Sequence, residues 1–169
     1  MRSIKNENNL HGKKILLRLD LNVPLDKGKI SNTTRIDKII PTLKFLIKQK
    51  AKIIILSHVG RPKGKVLEEL SLKPICENLQ DQLGLNVKLI TKNINEIENK
   101  DFFDNFDEEI LVLENIRFYA EEEKNDNKFA KHLASFGDLY VNDAFSCSHR
   151  SHASIVEISK FLPSFSGLQ

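Results

Sequence analysis

Arginines recur shortly after the apolar segments of this chain, together with Asp, Asn, His and Gly. The four arginines in such positions are Arg35, Arg61, Arg117 and Arg150. A guanidinium group is a planar fork of N–H donors that suits the oxygens of phosphate and carboxylate groups, often two at once. Four guanidinium groups that lie close together repel one another unless an anion sits among them. The pattern therefore indicates a site for a small anion that carries phosphate, carboxylate or both.

These residues can meet only if the apolar segments are neighbouring strands of one sheet. Aliphatic, β-branched runs predict strands over residues 14–21, 52–56, 87–90, 109–114 and 138–141. Apolar residues at helical spacing predict helices over 33–50, 71–84 and 125–137. This alternation predicts a single α/β domain over residues 1–169, a three-layer, doubly wound, Rossmann-like and mostly parallel sheet with helices on both faces.

Capping residues and proline give more detail about the three helices. Ser71 is the predicted N-cap of the second helix, and Gly84 follows its end. Asp126 or Asn125 is the predicted cap of the third helix. Pro41 lies inside the first helix, which predicts a kink or an offset start there.

The residues at the carboxyl ends of the predicted strands are the candidates for binding, because open parallel sheets bind ligands outside those ends. The candidate site residues are Asp20, Asn22, Arg35, His58, Gly60, Arg61, Arg117 and Arg150. Polar residues that accompany them are Glu114, Asn115, Asn142, Asp143 and His149. Arg18 is a weaker candidate, since it lies inside its strand, where pairing with a neighbouring acid would explain it.

Each candidate also has a simpler interpretation. A single surface arginine is usually just solvated. Asp20 and Asn22 could start a turn before Pro24, His58 could be an ordinary loop residue, and His152 an ordinary surface imidazole. The functional interpretation is favoured because four strands each bring an arginine to the same edge of the sheet.

Composition and short motifs exclude several other classes of function. A net charge of +3 on 169 residues is too small to indicate nucleic acid by itself. Two cysteines and the lack of a signal peptide or a membrane-length apolar run predict a cytoplasmic protein with free thiols. The segment "GRPKGK" has three residues between its glycines, whereas a Walker A loop needs four. The segment "CSHRSH" lacks a second ligand pair, so no metal site is predicted.

Five segments of the chain resemble the phosphoglycerate kinase family, in the order and spacing of its N-terminal domain. They are "RLDLNVPL" (18–25), "TTRI" (33–36), "SHVGRPKG" (57–64), "LENIRFYAEEEKND" (113–126) and "LYVNDAFSCSHRSHAS" (139–154). The sequence departs from the family at Ser146 and Cys147, where Gly and Thr are common, which adds side-chain bulk near the expected site.

The resemblance implies a role for each candidate in binding 3-phosphoglycerate or 1,3-bisphosphoglycerate. Asp20 and Asn22 would contact the carboxyl or hydroxyl end of the substrate. Arg35 would lie against the carboxyl or acyl phosphate and steady the phosphoryl group in transfer, which makes it the catalytic candidate. Gly60 would let the backbone approach the ligand. The 3-phosphate would be held by His58, Arg61, Arg117 and Arg150.

The resemblance also implies what this chain does not supply. Family members are more than twice as long, and a second domain binds Mg-ATP or Mg-ADP through glycine-rich loops. We expect the chain to be a fragment of a longer reading frame or a domain standing alone, with no cofactor of its own. Because phosphoryl transfer depends on positioning and charge stabilisation from both substrates' sites, the expectation is substrate binding without turnover.

Two alternatives to this interpretation stay open at the level of sequence. One is a non-catalytic basic module for nucleic acid or another polyanion, although the aromatic residues Phe118, Tyr119 and Phe145 form no stacking stripe. The other is an unstable truncated product. The favoured interpretation is a monomer of the glycolytic kinase family without nucleic-acid or membrane partners.

Overall fold

Seven strands form one sheet in which every paired neighbour runs parallel. The computed structural model describes residues Met1–Gln169. The strands of this sheet are β1 (Arg2–Ser3), β2 (Lys14–Leu19), β5 (Lys52–Leu56), β6 (Val87–Ile90), β7 (Ile110–Leu113), β8 (Leu139–Asp143) and β9 (Ser164–Ser166). Their spatial order is β1-β9-β8-β2-β5-β7-β6. A separate antiparallel hairpin consists of β3 (Leu25–Asp26) and β4 (Lys29–Ile30).

Four α-helices and several 3₁₀ turns connect these strands. The helices are α1 (Thr34–Lys48), α2 (Lys73–Leu83), α3 (Ala120–Glu123) and α4 (Asn127–Ala134). The 3₁₀ turns span Ile4–Asn6, Glu68–Leu70, Ile94–Glu96, Lys100–Asn105, Ile116–Phe118, Phe145–Cys147 and Glu157–Lys160. None of the helices has the length and apolar character needed to cross a membrane.

Two apolar cores lie on opposite faces of the sheet. In β2, Ile15 and Leu17 belong to a core of 23 buried residues, which α1 and α2 cover. Leu16 points the other way, into a core of 18 buried residues that includes Phe129 and Leu133 of α4. Side chains of a strand alternate between the two faces, so the central strands serve both cores. The predicted three-layer α/β fold is confirmed.

The order of the strands creates a crevice beside β2. The connection through α1 places β5 on one side of β2, whereas the later connection through α4 places β8 on the other side. Ligands of doubly wound sheets bind where successive connections diverge in this way, at the carboxyl ends of the strands. The loops after β2, β5, β7 and β8 all open at this carboxyl edge.

The helices differ from expectation in two details. The first helix begins at Thr34 and is continuous through Pro41, so the start is not offset; burial of Ile36, Ile39, Leu43 and Leu46 stabilises both halves. Leu72, which has no capping side chain, occupies the N-cap position of α2, and the predicted cap Ser71 lies one residue earlier. Ser71 Oγ still accepts a 3.2 Å hydrogen bond from Lys73 N in the first turn, as predicted for a capping residue. Glu114 in turn accepts hydrogen bonds from Leu72 N (2.8 Å) and Ser71 Oγ (2.7 Å).

Other predicted helix signals are confirmed. Gly84 ends α2 in the left-handed conformation, with a φ of 65°. Asp126, not Asn125, caps α4 and accepts a 2.8 Å hydrogen bond from Phe129 N.

Candidate anion-binding site

A polar cavity of about 220 Å³ lies at the carboxyl edge of the sheet, and we call it the anion cavity. Seven of the eight residues proposed from sequence line it; they come from the segments after β2, β5, β7 and β8 and, for Arg35, from the first turn of α1. The lining residues are Asn22, Arg35, His58, Gly60, Arg61, Arg117, Ser146, Cys147 and Arg150. The remaining candidate, Asp20, lies next to the cavity and contacts three of its lining residues, Asn22, Arg35 and Ser146.

Asp20 orients Arg35 rather than facing the cavity itself. Its side chain is buried, and both carboxylate oxygens accept hydrogen bonds from Arg35 Nη1, at 3.0 and 3.1 Å. Ser146 Oγ donates a further hydrogen bond to Asp20 Oδ2. About half of the Arg35 side chain stays exposed. Its contacts with Asp20 hold it in the lining of the cavity.

Asn22 and Gly60 connect the loop after β2 to the loop after β5. The backbone N–H of Gly60 donates a 3.0 Å hydrogen bond to Asn22 Oδ1. Gly60 has a φ of +66°, and a Cβ atom there would lie 2.8 Å from Leu70 Cδ2. Both facts favour glycine at this position. The backbone N–H of Asn22 donates a 3.2 Å hydrogen bond to Asp20 Oδ1, whereas its side-chain Nδ2 makes no hydrogen bond within the chain and can donate to a ligand.

Asn115 holds three segments together beneath Arg117. Its fully buried amide nitrogen donates to Val59 O (2.8 Å) and Leu70 O (2.9 Å). Its side-chain oxygen accepts a 3.1 Å hydrogen bond from Arg117 N. Arg117 is therefore fixed relative to the loop that carries His58, Gly60 and Arg61.

The cavity carries positive charge that the protein does not neutralise. Of its four arginines, only Arg35 pairs with an acid; Arg61, Arg117 and Arg150 form no ion pair. The Nε atom of the buried Arg117 has no hydrogen-bond partner. Burial lowers the pKa of Arg117; Glu123 counteracts this shift in part, and the nearby charges of Arg18 and Arg150 add to it. A buried cation without a partner is costly, so this arrangement favours an anionic ligand.

Two buried histidines are poor bases: His58 lines the cavity, and His152 is buried outside its lining. Burial, followed by the charges of Arg18 and Arg117, lowers the pKa of His58 to about 2. Burial and Arg117 likewise lower the pKa of His152, whose Nδ1 atom is buried without a partner. At neutral pH both imidazoles are uncharged, so the positive charge of the cavity comes from its arginines.

The lining of the cavity does not suit a divalent cation. The chain contains no group of three or more His, Cys, Asp or Glu residues that could hold a metal ion. The charges that face the cavity are guanidinium groups, which repel a metal ion. These residues therefore do not form a magnesium site.

Comparison with known protein families gives a match over almost the whole chain. The family model of phosphoglycerate kinase matches residues 5–169. The chain belongs to the phosphoglycerate kinase family. The anion cavity is thus a feature of a phosphoglycerate kinase domain, and the resemblance stated from five sequence segments is confirmed.

The matched relatives are much longer than this chain. A phosphoglycerate kinase of Borrelia garinii subsp. bavariensis is 45% identical over 167 residues, which cover 99% of this chain and 42% of the relative. One of Prochlorococcus marinus is 52% identical over 162 residues, or 94% of this chain and 40% of the relative. The chain thus spans about two fifths of the length of these curated relatives.

Solved structures of phosphoglycerate kinases share the fold. The enzyme from Coxiella burnetii superimposes with a TM-score of 0.85 at 36% identity, over 97% of this chain and 40% of that one. The enzyme from Pyrococcus horikoshii OT3 gives a TM-score of 0.85 at 30% identity, over 99% of this chain and 42% of that one.

Several residues that accompany the candidates have structural roles or lie elsewhere. Asp143 does not line the cavity, since its side chain accepts a 2.7 Å hydrogen bond from Thr42 of α1. His149 is exposed outside the lining. His152, for which a surface position was one interpretation, is only 8% exposed. Arg18 has the acid neighbour that was expected, because Glu122 lies 4.0 Å away.

Proposed function

We propose that the chain is the substrate-binding part of a glycolytic phosphoglycerate kinase and binds 3-phosphoglycerate or 1,3-bisphosphoglycerate in the anion cavity. The observation that carries this proposal is the set of four arginines around one small cavity, three of them without an acid partner. 3-Phosphoglycerate has a phosphate at one end, a carboxylate at the other and a hydroxyl between them. Its two anionic ends suit arginines that approach from different strands.

The proposed contacts divide the cavity into two ends. His58, Arg61, Arg117 and Arg150 bind the 3-phosphate, with the unpaired Nε of Arg117 among the donors. Asn22 donates to the carboxyl or hydroxyl end. Asp20 acts mainly by orienting Arg35, which is the candidate catalytic residue for stabilising the phosphoryl group during transfer.

The complete reaction moves a phosphoryl group between 1,3-bisphosphoglycerate and ADP, giving 3-phosphoglycerate and ATP. We assign Mg-ATP or Mg-ADP to parts of the longer relatives outside this alignment, and their metal would supply charge stabilisation to the transferred group. The residues of this chain bind, orient and neutralise the glycerate substrate, which is 1,3-bisphosphoglycerate in this direction and 3-phosphoglycerate in the reverse. Turnover by this chain alone is therefore not expected.

Further predictions made from sequence stand with this proposal. They are that the chain works as a monomer in the cytoplasm and has neither a nucleic-acid nor a membrane partner.

A calorimetric titration with 3-phosphoglycerate tests the proposal. We expect saturable 1:1 binding, and a loss of roughly 10- to 100-fold in affinity for Arg117→Met, since hydrogen bonds to charged groups contribute about 1.5–3 kcal/mol. Lys88→Met, an exposed change outside the cavity, is the matched control.

Two results would overturn the proposal. One is a folded wild-type chain whose backbone amide NMR signals do not shift with 3-phosphoglycerate. The other is binding of an oligonucleotide, with a steep salt dependence, in place of 3-phosphoglycerate, which would favour the polyanion-binding alternative. Phosphotransferase activity of the isolated chain would refute the narrower prediction of binding without turnover.

A further inference from the structure

A fully buried arginine lies directly behind His58. Arg18 belongs to β2, and none of its side chain reaches solvent. Its Nη1 donates to Leu19 O at 2.6 Å, and its Nε donates to Ser154 Oγ at 2.8 Å. Its Nη2 lies 3.0 Å from His58 Nδ1. The guanidinium group thus connects the core of the sheet to one wall of the anion cavity.

The acid nearest to Arg18 is Glu122. Its carboxylate is fully buried, and Oε2 lies 4.0 Å from Arg18 Nη2. Ser154 donates its backbone N–H to Oε1 at 2.7 Å and its hydroxyl to Oε2. Burial raises the pKa of Glu122, whereas the charge of Arg18 and the two hydrogen bonds from Ser154 lower it and so favour the ionised carboxylate. Arg18 is therefore held in place by Glu122 and Ser154 together.

This arrangement determines which nitrogen of His58 carries the proton. Arginine has donors only, so the hydrogen bond between Arg18 Nη2 and His58 Nδ1 requires Nδ1 to be the acceptor. In a neutral imidazole the proton then resides on Nε2. That atom makes no hydrogen bond within the chain, and His58 lines the anion cavity.

The charged and titratable groups that influence His58 most act against its protonation. Arg18 lies on β2, Arg117 follows β7, and Arg150 and His152 follow β8; each disfavours an imidazolium. Two acids of α3 lie in this region: Glu122 is 4.0 Å from Arg18 Nη2, and Glu123 raises the pKa values of Arg117 and His152. Burial adds to the effect of these neighbours, and the pKa of His58 falls to about 2.

We propose that Arg18, held by Glu122 and Ser154, is a positioning residue that fixes His58 as the Nε2–H tautomer, a neutral hydrogen-bond donor to the bound anion. This inference rests on the proposed function for the identity of that anion. It follows that the contribution of His58 to binding stays constant between pH 5 and 8, whereas an imidazole near its ordinary pKa of 6.5 would gain charge across that range.

Nitrogen-15 NMR of the imidazole rings in the wild-type chain tests the tautomer directly, with His58→Gln for assignment. We expect the Nε2–H form of His58 at every pH from 5 to 8. An Nδ1–H tautomer, or a protonated ring at pH 6, would overturn the inference. This measurement needs no ligand, so a chain that shows the Nε2–H form and fails to bind 3-phosphoglycerate would refute only the proposed function.

Two variants test the role of Arg18. Ser154→Ala removes the acceptor of Arg18 Nε, and Arg18→Met/Glu122→Gln removes both buried charges together, which avoids leaving one unpaired. We expect a mixture of tautomers in each and a roughly 3- to 10-fold weaker affinity for 3-phosphoglycerate at pH 8. Comparison with wild type at each pH cancels the titration of the ligand's own phosphate.

A change in the pH profile distinguishes positioning from a merely structural role. We expect the affinity ratio of wild type to variant to decrease toward pH 6, because an unrestrained His58 can become cationic there and bind the anion better. A constant ratio from pH 6 to 8, with the Nε2–H tautomer unchanged in a folded variant, would overturn the inference.

Discussion

The arginines of the anion cavity differ in how much each lowers the stability of the fold when no ligand is present. Arg61 and Arg150 are exposed, so water solvates their charge. Arg117 is only 6% exposed and has an unpaired Nε, with a single long hydrogen bond of 3.4 Å from Nη1 to Gly60 O. The strongest ligand contact is thus expected from the residue that the unliganded fold accommodates least well.

Replacement of Arg117 by Met should separate stability from binding. We expect Arg117→Met to raise the free energy of unfolding by about 1 kcal/mol without ligand, because it removes an unpaired buried charge. Arg61→Met, at an exposed position, should change it by less than about 0.5 kcal/mol. Urea denaturation in the absence of anions measures both. A less stable Arg117→Met variant would show that Arg117 has a structural partner that compensates its charge.

His58 should make the fold sensitive to acid. Its pKa is lowered to about 2 in the folded state, so below pH 6.5 the unfolded state binds the extra proton. Stability is then present above pH 6.5 and falls as the pH is lowered, by at most about 1.4 kcal/mol per pH unit from this group. Urea midpoints between pH 7 and 4 should fall less steeply for His58→Gln.

Exposed His11 supplies the control for the loss of a histidine as such, through His11→Gln. Some slope should remain in His58→Gln, because burial also lowers the pKa of His152. Equal slopes in the wild type and His58→Gln would contradict the assignment of the acid sensitivity to His58.

At the scale of elements, local sequence signals predicted the strands that have strong apolar runs. The strands Lys52–Leu56 and Val87–Ile90 match their predicted bounds, whereas the strand predicted over 14–21 ends at Leu19. The strands Arg2–Ser3 and Ser164–Ser166 were not predicted. They are two and three residues long, and their pairing joins the two ends of the chain. Such strands depend on a partner distant in sequence, so no local pattern reveals them.

Local sequence signals also fail to predict the buried residues of the segment 93–109. Its charge predicts a solvated acidic surface, and its acidic side chains are largely exposed. However, Ile94, Ile97 and Phe103 are buried in the second core. Isolated apolar residues in 3₁₀ turns have no helical or strand period by which they could be recognised.

The candidate site was more predictable than the network that supports it. Arginines that follow strands must lie at the carboxyl edge of a parallel sheet, so strand prediction alone brought the candidates together. Ser146 and Cys147, by contrast, were noted only as departures from the family near the site. Glu122 and Ser154 received no functional interpretation, because their role depends on contacts with Arg18 across more than 100 residues of sequence.

Asn115 should be the most sensitive connection between these loops. Asn115→Leu leaves three buried backbone groups without their partner, those of Val59, Leu70 and Arg117. We expect a loss of about 2–4 kcal/mol in the free energy of unfolding, since each unsatisfied group costs about 1–3 kcal/mol and the loops can partly relax. Chemical denaturation measures it, and Asn86→Leu, at an exposed loop position, is the matched control.

Binding by the Asn115→Leu variant provides a second readout. Affinity for 3-phosphoglycerate should fall in the folded variant, because Arg117 and the loop of Gly60 lose their fixed separation. A variant that keeps full stability would show that water or other side chains replace the three hydrogen bonds.

At the scale of the whole molecule, a single sheet joins the two cores to the site. The central strands β2, β5 and β7 contribute alternate side chains to both cores, and the loops at their carboxyl ends form much of the anion cavity. Because both cores pack on the same strands, disruption of the sheet in one core would expose the other core to water. The fold should therefore unfold as one cooperative unit, and core packing should influence binding only through the folded population.

Leucine-to-alanine substitutions in each core test this coupling. Leu46→Ala in the first core and Leu133→Ala in the second should each lower the free energy of unfolding by about 2–5 kcal/mol. In both variants, NMR signals of methyl groups from the two cores should disappear with one denaturant midpoint. Below that transition, affinity for 3-phosphoglycerate should match the wild type. Separate midpoints for the two cores would show that the faces of the sheet unfold independently, and the site would then depend on one core alone.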